Sequence, residues 1–110
     1  MKVQTQVHGN ACVLAAHGPL ITDDLTDLRR AVDSAPKTKR VIVDLADVPY
    51  VDSSGISLLL ELCGTHLAVH QRPKLAALSE TCMEALELTD ILPRLEVFDT
   101  VENALRSCQR

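Results

Sequence analysis

Aromatic residues are almost missing from this chain: its 110 residues include one Tyr, one Phe and no Trp. Positive charge is also short, with 11 Lys+Arg against 15 Asp+Glu and a formal net charge of −4. Nucleic-acid binding relies on basic side chains to neutralise phosphates and on rings to stack bases, so both shortages argue against it. The tightest basic group is Lys37, Lys39 and Arg40, which falls in a turn between apolar segments and reads as solvated surface. No apolar run approaches the ~18 residues of a membrane span. The opening residues MKVQTQVHG lack the apolar stretch of a signal peptide, so no export is expected. Cys12, Cys63, Cys82 and Cys108 stand far apart with no CxxC pair, which excludes a redox or zinc-ribbon motif and leaves reduced cytoplasmic thiols as the expectation.

Catalytic signatures are missing too. No GxxxxGK(S/T) or GxGxxG occurs, so neither phosphate loop is present, and there is no HExxH or GxSxG. His66 and His70 stand four apart, a possible two-ligand metal spacing, but no third ligand lies nearby in sequence. Both flank apolar positions and read as structural histidines. Carboxylates are numerous, yet nothing in the sequence sets two of them face to face. Neither an enzyme nor a bound cofactor or metal is expected.

What remains is the mixture of an ordinary soluble domain, 46% apolar and 24% charged. A chain of this length buries about two-thirds of its unfolded surface, enough for a core without a metal or disulfide. No linker, repeat or low-complexity segment divides it, so residues 1–110 form a single domain. Residues 3–8 alternate as a strand, Gly9-Asn10 marks a hairpin turn, and residues 12–16 run apolar. After Gly18-Pro19, Thr22-Asp23-Asp24 offers a cap and an acidic first turn to a helix with Leu25, Leu28, Val32 and Ala35 on one face, ended by Pro36. Val41-Ile42-Val43-Asp44-Leu45 is β-branched and reads as a strand buried on both faces. A helix over 53–70 follows, stopped by Arg72-Pro73, then a core strand over 74–78. Thr81 with Glu84 and Asp99 with Glu102 read as capping boxes of two further helices, separated by a short strand over 95–98. The predicted order is ββαβαβαβα: a mostly parallel α/β sheet with right-handed crossovers after an opening hairpin.

The informative stretch is the buried strand followed by Asp52-Ser53-Ser54-Gly55 and a helix. Hydroxyls at a helix N-terminus sit beside unpaired backbone N–H groups and partial positive charge, so a phosphate on Ser54 would be accommodated there, with Asp52 repelling part of it. Gly55 leaves the approach to Ser54 open, whereas Ser57 lies further inside the helix and is less accessible. The same residues also read as a plain helix cap. On a helical wheel Ile56, Leu60, Cys63 and Leu67 share the face expected to meet the sheet. Leu58, Leu62 and Val69 form a second apolar stripe, either covered by neighbouring helices or offered to a partner.

Val41-Ile42-Val43-Asp44-Leu45, then Val51-Asp52-Ser53-Ser54-Gly55-Ile56, resembles the signature of the STAS domain family, particularly its anti-sigma-factor antagonists. The tail from Val97-Phe98-Asp99-Thr100-Val101 to Leu105 is similar to that family's closing strand and helix, and the likeness spans roughly residues 3–108. The resemblance implies a single domain with helices on one face of a mostly parallel sheet. It also implies a cytoplasmic regulatory role in which Ser54 is phosphorylated by an anti-sigma factor that is a serine kinase. The unmodified form binds that partner and frees the sigma factor; a serine phosphatase resets the switch. Partner contacts are then expected at Asp52, Ser53, Gly55, Ser57, Leu58 and Leu62. The chain departs from the family at Gly18-Pro19-Leu20-Ile21, where many antagonists carry acidic residues; here acids begin at Asp23 and Asp24. An alternative is a constitutive interaction subunit, as in phospholipid-transport ATPases or stressosome-like assemblies. A hydrolase using Ser54 or Ser57 would lack any visible base.

Overall fold

Gly9 and Asn10 are the two central residues of the turn that joins β1 (Lys2–His8) to β2 (Ala11–His17). Gly9 has φ +59°, a left-handed conformation that suits glycine at the first central position of a tight hairpin turn. The computed structural model describes residues 1–64, 67–68 and 72–109. Beyond the hairpin, β3 (Arg40–Asp47), β4 (Lys74–Ala76) and β5 (Val97–Phe98) add in parallel, giving the sheet order β1-β2-β3-β4-β5.

That order decides where the helices go. Each parallel strand lies beside the next one in sequence, so right-handed crossovers all fall on the same face. These crossovers are α1 (Thr26–Ser34), α2 (Ser53–Cys63) and α3 (Glu80–Leu88). Val43, Leu45 and Leu75 of the strands pack there against Leu28, Leu58, Leu59, Cys63 and Leu86. The last helix, α4 (Val101–Ser107), follows no crossover and folds back onto the opposite face, where Ala104 and Cys108 meet Val13, Ile42 and Ala76. One-sided helix placement thus holds for the three crossovers, and α4 is the exception. Ile42 and Val43, consecutive in β3, are 0% and 1% exposed, which is the double-sided burial that the β-branched run implied.

Several boundaries differ from the sequence expectation. The α2 helix ends at Cys63 rather than near residue 70, because Gly64 turns extended at φ −73°, ψ 170°. Glycine is a poor helix former, and this one stops the helix before Arg72-Pro73 is reached. His66, His70 and Val69, on which the metal and apolar-stripe readings partly rested, lie outside the described residues. Thr22–Asp24 forms a single 3₁₀ turn, and α1 starts only at Thr26. Ser79, not Thr81, caps α3 by accepting the Cys82 N–H, and Thr100, not Asp99, caps α4 by accepting the Asn103 N–H. The strand expected over 74–78 stops at Ala76 because Ala77 adopts φ +60°. The one expected over 95–98 shortens to Val97–Phe98 because Leu92–Arg94 form a further 3₁₀ turn.

Lys74 is the buried charged residue of the sheet, 6% exposed, with Nζ 2.6 Å from Glu96 Oε1 and 5.3 Å from the centre of the Phe98 ring. Removing the buried Lys74 charge leaves behind only a glutamate that water still reaches, whereas removing Glu96 strands a buried charge without its partner. Glu96→Ala should therefore lower the unfolding free energy by about 2 kcal/mol, discounted for the part-exposed glutamate, while Lys74→Met stays within ~1 kcal/mol of wild type. Urea titrations compare the two, and equal losses would contradict this account.

Candidate functional site

β3 ends at Asp47, and residues 48–52 cross the end of the sheet before α2 begins. Val48 anchors this loop: it is fully buried, and its carbonyl accepts from Ser79 Oγ at 3.1 Å and from the Cys82 thiol at 3.3 Å. The segment after β2 supplies a second anchor. Gly18 N–H donates to Asp47 O at 3.1 Å, and the buried Leu20 donates to Tyr50 O at 3.1 Å. The Leu20 carbonyl in turn accepts the Asp52 N–H at 3.0 Å, forming a short parallel bridge with Val51. The loops after β2 and β3 are therefore one surface, and the Gly18-Pro19-Leu20 departure lies within it.

Asp52 caps α2 with extended backbone. Its Oδ1 accepts the Gly55 N–H at 2.9 Å, and its Oδ2 accepts the Thr22 N–H at 3.0 Å. Thr22 Oγ1 lies 3.0 Å from both Asp52 Oδ2 and Ser54 Oγ. A hydroxyl has one proton and a carboxylate only accepts, so Thr22 donates to Asp52 and the Ser54 O–H donates to Thr22. Thr22 is thus engaged across the loop, which is why it does not cap its own helix.

The Gly55 N–H leads in holding the Asp52 carboxyl below the usual carboxylate range; burial works the other way, and the Thr22 and Ser54 donors add to the lowering. A carboxylate lowered in this way stabilises the fold above its unfolded value of ~3.9, and that contribution fades as pH falls toward the folded value. Asp52→Asn turns an amide NH₂ toward the Thr22 N–H. It should melt lower at pH 7 and lose less on acidification than wild type does. Melting curves from neutral to acid pH test this, and parallel slopes for the two proteins would unlink Asp52 from acid stability.

The same arrangement constrains Ser54 chemistry. The Ser54 hydroxyl is linked to Asp52 through Thr22, and the lowered pKa of that carboxyl makes it a poor proton acceptor, the reverse of a general base. The donor that the helix start would offer an incoming anion, the Gly55 N–H, is already taken by Asp52. The helix start thus already holds the Asp52 carboxylate, the group expected to repel part of a charge added at Ser54.

Exposure also differs from expectation. Ser53 and Ser57 are exposed, and Ser54 is half-buried, so accessibility by itself does not single out Ser54. Gly55 is buried; an added Cβ would lie 2.3 Å from the Leu20 carbonyl oxygen. Its role is close approach of two backbones rather than an open path to Ser54. Leu58 is 2% exposed and faces the core with Leu59 and Cys63, while Ile56 and Leu60 are half-buried. The buried face therefore takes Cys63 from the stripe expected to meet the sheet and Leu58 from the second stripe, so neither stripe is buried as a whole. Leu62 is half-buried and lines a groove of about 590 Å³ between α1 and α2, together with Arg29, Val32 and Glu61. Sequence reasoning missed Leu20, Thr22 and Tyr50. Tyr50 is 48% exposed on the loop, and the chain's one tyrosine, four residues before Ser54 in a segment between strand and helix, was the available signal.

Among the described residues no group of three metal-ligating side chains comes together, and no helix is long and apolar enough to cross a membrane. The thiols of Cys12, Cys63, Cys82 and Cys108 are unpaired and buried, and burial pushes the Cys63 thiol up to about 12.

No curated protein matches the chain by sequence. Solved structures do match its fold. An anti-sigma factor antagonist from Mycobacterium paratuberculosis aligns over 99% of this chain and 94% of its own, with TM-score 0.82 and 17% identity. The anti-sigma factor antagonist SpoIIAA in its unphosphorylated form aligns over 98% of this chain and 96% of its own, with TM-score 0.72 and 19% identity. The murine solute carrier 26 anion transporter A9 contains a similar unit, covering 94% of this chain but 18% of the transporter, with TM-score 0.77 and 19% identity. At these identities the likeness is one of fold. The family profile of the STAS domain matches residues 2–104, and the chain belongs to the STAS domain family.

Proposed function

We propose that this STAS domain is a cytoplasmic, non-enzymatic binding module of the anti-sigma-factor-antagonist type, switched by phosphorylation of Ser54. Its partners are an anti-sigma factor with serine kinase activity and a serine phosphatase. The observation that supports this reading is the Ser54–Thr22–Asp52 chain of hydrogen bonds, set beside the exposed Tyr50, Ser53 and Ser57. A phosphoryl group replaces the proton that Ser54 gives to Thr22 and brings about −1.5 to −2 charges next to Asp52. Repelled by that carboxylate, it turns outward, into the surface that a partner would cover. Docking contacts fall on Tyr50, Ser53, Ser57 and the half-buried Leu62, with Asp52 and Gly55 shaping the ledge and Leu58 supporting it from the core.

Intact-mass measurement of the protein from its source cells, with and without phosphatase, should reveal one removable phosphate. Fragment spectra after incubation with the cognate kinase should put it on Ser54; predominant labelling of Ser53 or Ser57 would sink the assignment. A second reading, a constitutive interaction domain, has support of its own: the Ser54 hydroxyl is useful to the helix cap without any phosphate, and a similar fold sits inside an anion transporter. Absence of any phosphorylated form in cells that contain the kinase would favour it.

A further inference from the structure

The outer strand of the sheet carries a symmetry of its own. β1 pairs with β2 on one side, and the strand order leaves its other edge open. Six of its seven residues are exposed, and Val7 is 56% exposed. Long open edges are normally protected by inward charges, proline or bulges. Here the residues between Lys2 and His8 carry no charge and no proline, and the β1–β2 register runs unbroken from Lys2↔His17 to His8↔Ala11.

The sequence of that edge, Val3-Gln4-Thr5-Gln6-Val7, reads the same in both directions. We propose that β1 is a homodimerisation edge, pairing antiparallel with β1 of a second copy about a two-fold axis through Thr5. The backbone parity fits this register. A two-residue turn makes His8 and Ala11 a hydrogen-bonded pair, so Gln6, Gln4 and Lys2 also direct their N–H and C=O groups at β2. Val3, Thr5 and Val7 then direct theirs at the open edge. In the two-fold pair Thr5 meets Thr5 of the second copy, and Val3 meets its Val7, so every outward group finds a partner. Gln4 faces Gln6 of the second copy on the opposite side, and the part-exposed Val7 is covered by a β-branched neighbour, a favourable cross-strand pair. The two-fold is closed and self-complementary, as isologous dimers require. The edge shares no residue with the loop around Ser54, so the dimer leaves that loop free.

Sedimentation equilibrium from micromolar to millimolar protein should show a monomer–dimer equilibrium. Hydrogen exchange should show the amides of Val3, Thr5 and Val7 gaining protection as concentration rises, with Gln4 and Gln6 protected throughout. Thr5→Pro removes an outward N–H without touching the β1–β2 ladder, and Thr5→Lys opposes two like charges across the axis. Each should weaken dimerisation at least tenfold while thermal unfolding of the monomer confirms the fold; Thr5→Lys decides the matter if the proline variant does not fold. A wild type that stays monomeric at every concentration overturns the proposal. So does a dimer that Thr5→Lys leaves intact, or one in which the Val3, Thr5 and Val7 amides exchange freely.

Discussion

Ser54→Asp should weaken binding to the anti-sigma-type kinase by at least tenfold, while Ser54→Ala binds as the unmodified chain does and no longer responds to the kinase. The asymmetry follows from what each side chain does at the ledge. Aspartate brings a fixed charge close to Asp52, whose carboxylate is already held ionised by the Gly55 and Thr22 donors. Covering that pair with a partner desolvates an unbalanced charge, which costs several kcal/mol, and each 1.4 kcal/mol is tenfold in affinity. Alanine removes only the hydroxyl that donates to Thr22, leaving the Thr22–Asp52 contacts in place. Neither change disturbs the core, so both variants should melt within a few degrees of wild type. Calorimetric titration against the kinase measures the difference. Equal affinities for the two variants would reduce Ser54 to part of a helix cap and leave the constitutive reading in possession.

Gly55→Ala should do the opposite: it adds no charge and should nevertheless damage the fold. Alanine is the better helix former by about 1 kcal/mol, so a free helix start would gain from the change. Here the new Cβ would lie 2.3 Å from the Leu20 carbonyl oxygen, 3.0 Å from its Cβ and 3.1 Å from its carbonyl carbon. Leu20 cannot retreat, because its side chain is fully buried and its backbone is bonded to Tyr50 and Asp52. Relief requires moving α2 or opening the bridge between the two loops. Overpacking of this kind costs about 3 kcal/mol, which outweighs the propensity gain. A net fall in Tm on the order of 10 °C is expected for a domain of this size, with partner binding lost alongside as the ledge shifts. Thermal unfolding tests this at once; a variant that melts with wild type would show that the Leu20–Gly55 approach is loose.

Much of the architecture was legible in the residues. The β-branched run at 41–45, the Gly9-Asn10 turn and the apolar spacing of α1 each carry a local physical cause, and the order of elements followed from them. The sequence also marked Asp52-Ser53-Ser54-Gly55 as the segment with chemistry, since a helix start after a buried strand presents hydroxyls at a fixed place. Boundaries were less legible. Capping serines, threonines and aspartates stand close together before α3 and α4, and which one turns extended depends on the preceding loop. Ser79, for example, is also bonded to Val48.

Tertiary structure alone decided the face that α2 buries and the part that Gly55 plays. With leucines at 58, 59, 60 and 62, the helix carries more than one apolar stripe, and periodicity cannot choose between them. The choice is made by contact with the segment after β2: Gly55 abuts the Leu20 backbone, which turns Leu58, Leu59 and Cys63 inward and leaves Ile56 and Leu60 half-buried. The hydrogen-bond chain from Ser54 through Thr22 to Asp52 joins residues far apart in sequence for the same reason. Local pattern determines which elements form, because their hydrogen bonds close within a few residues. It does not determine what a side chain at the end of one element will meet, because that neighbour arrives from another strand's loop only when the sheet assembles.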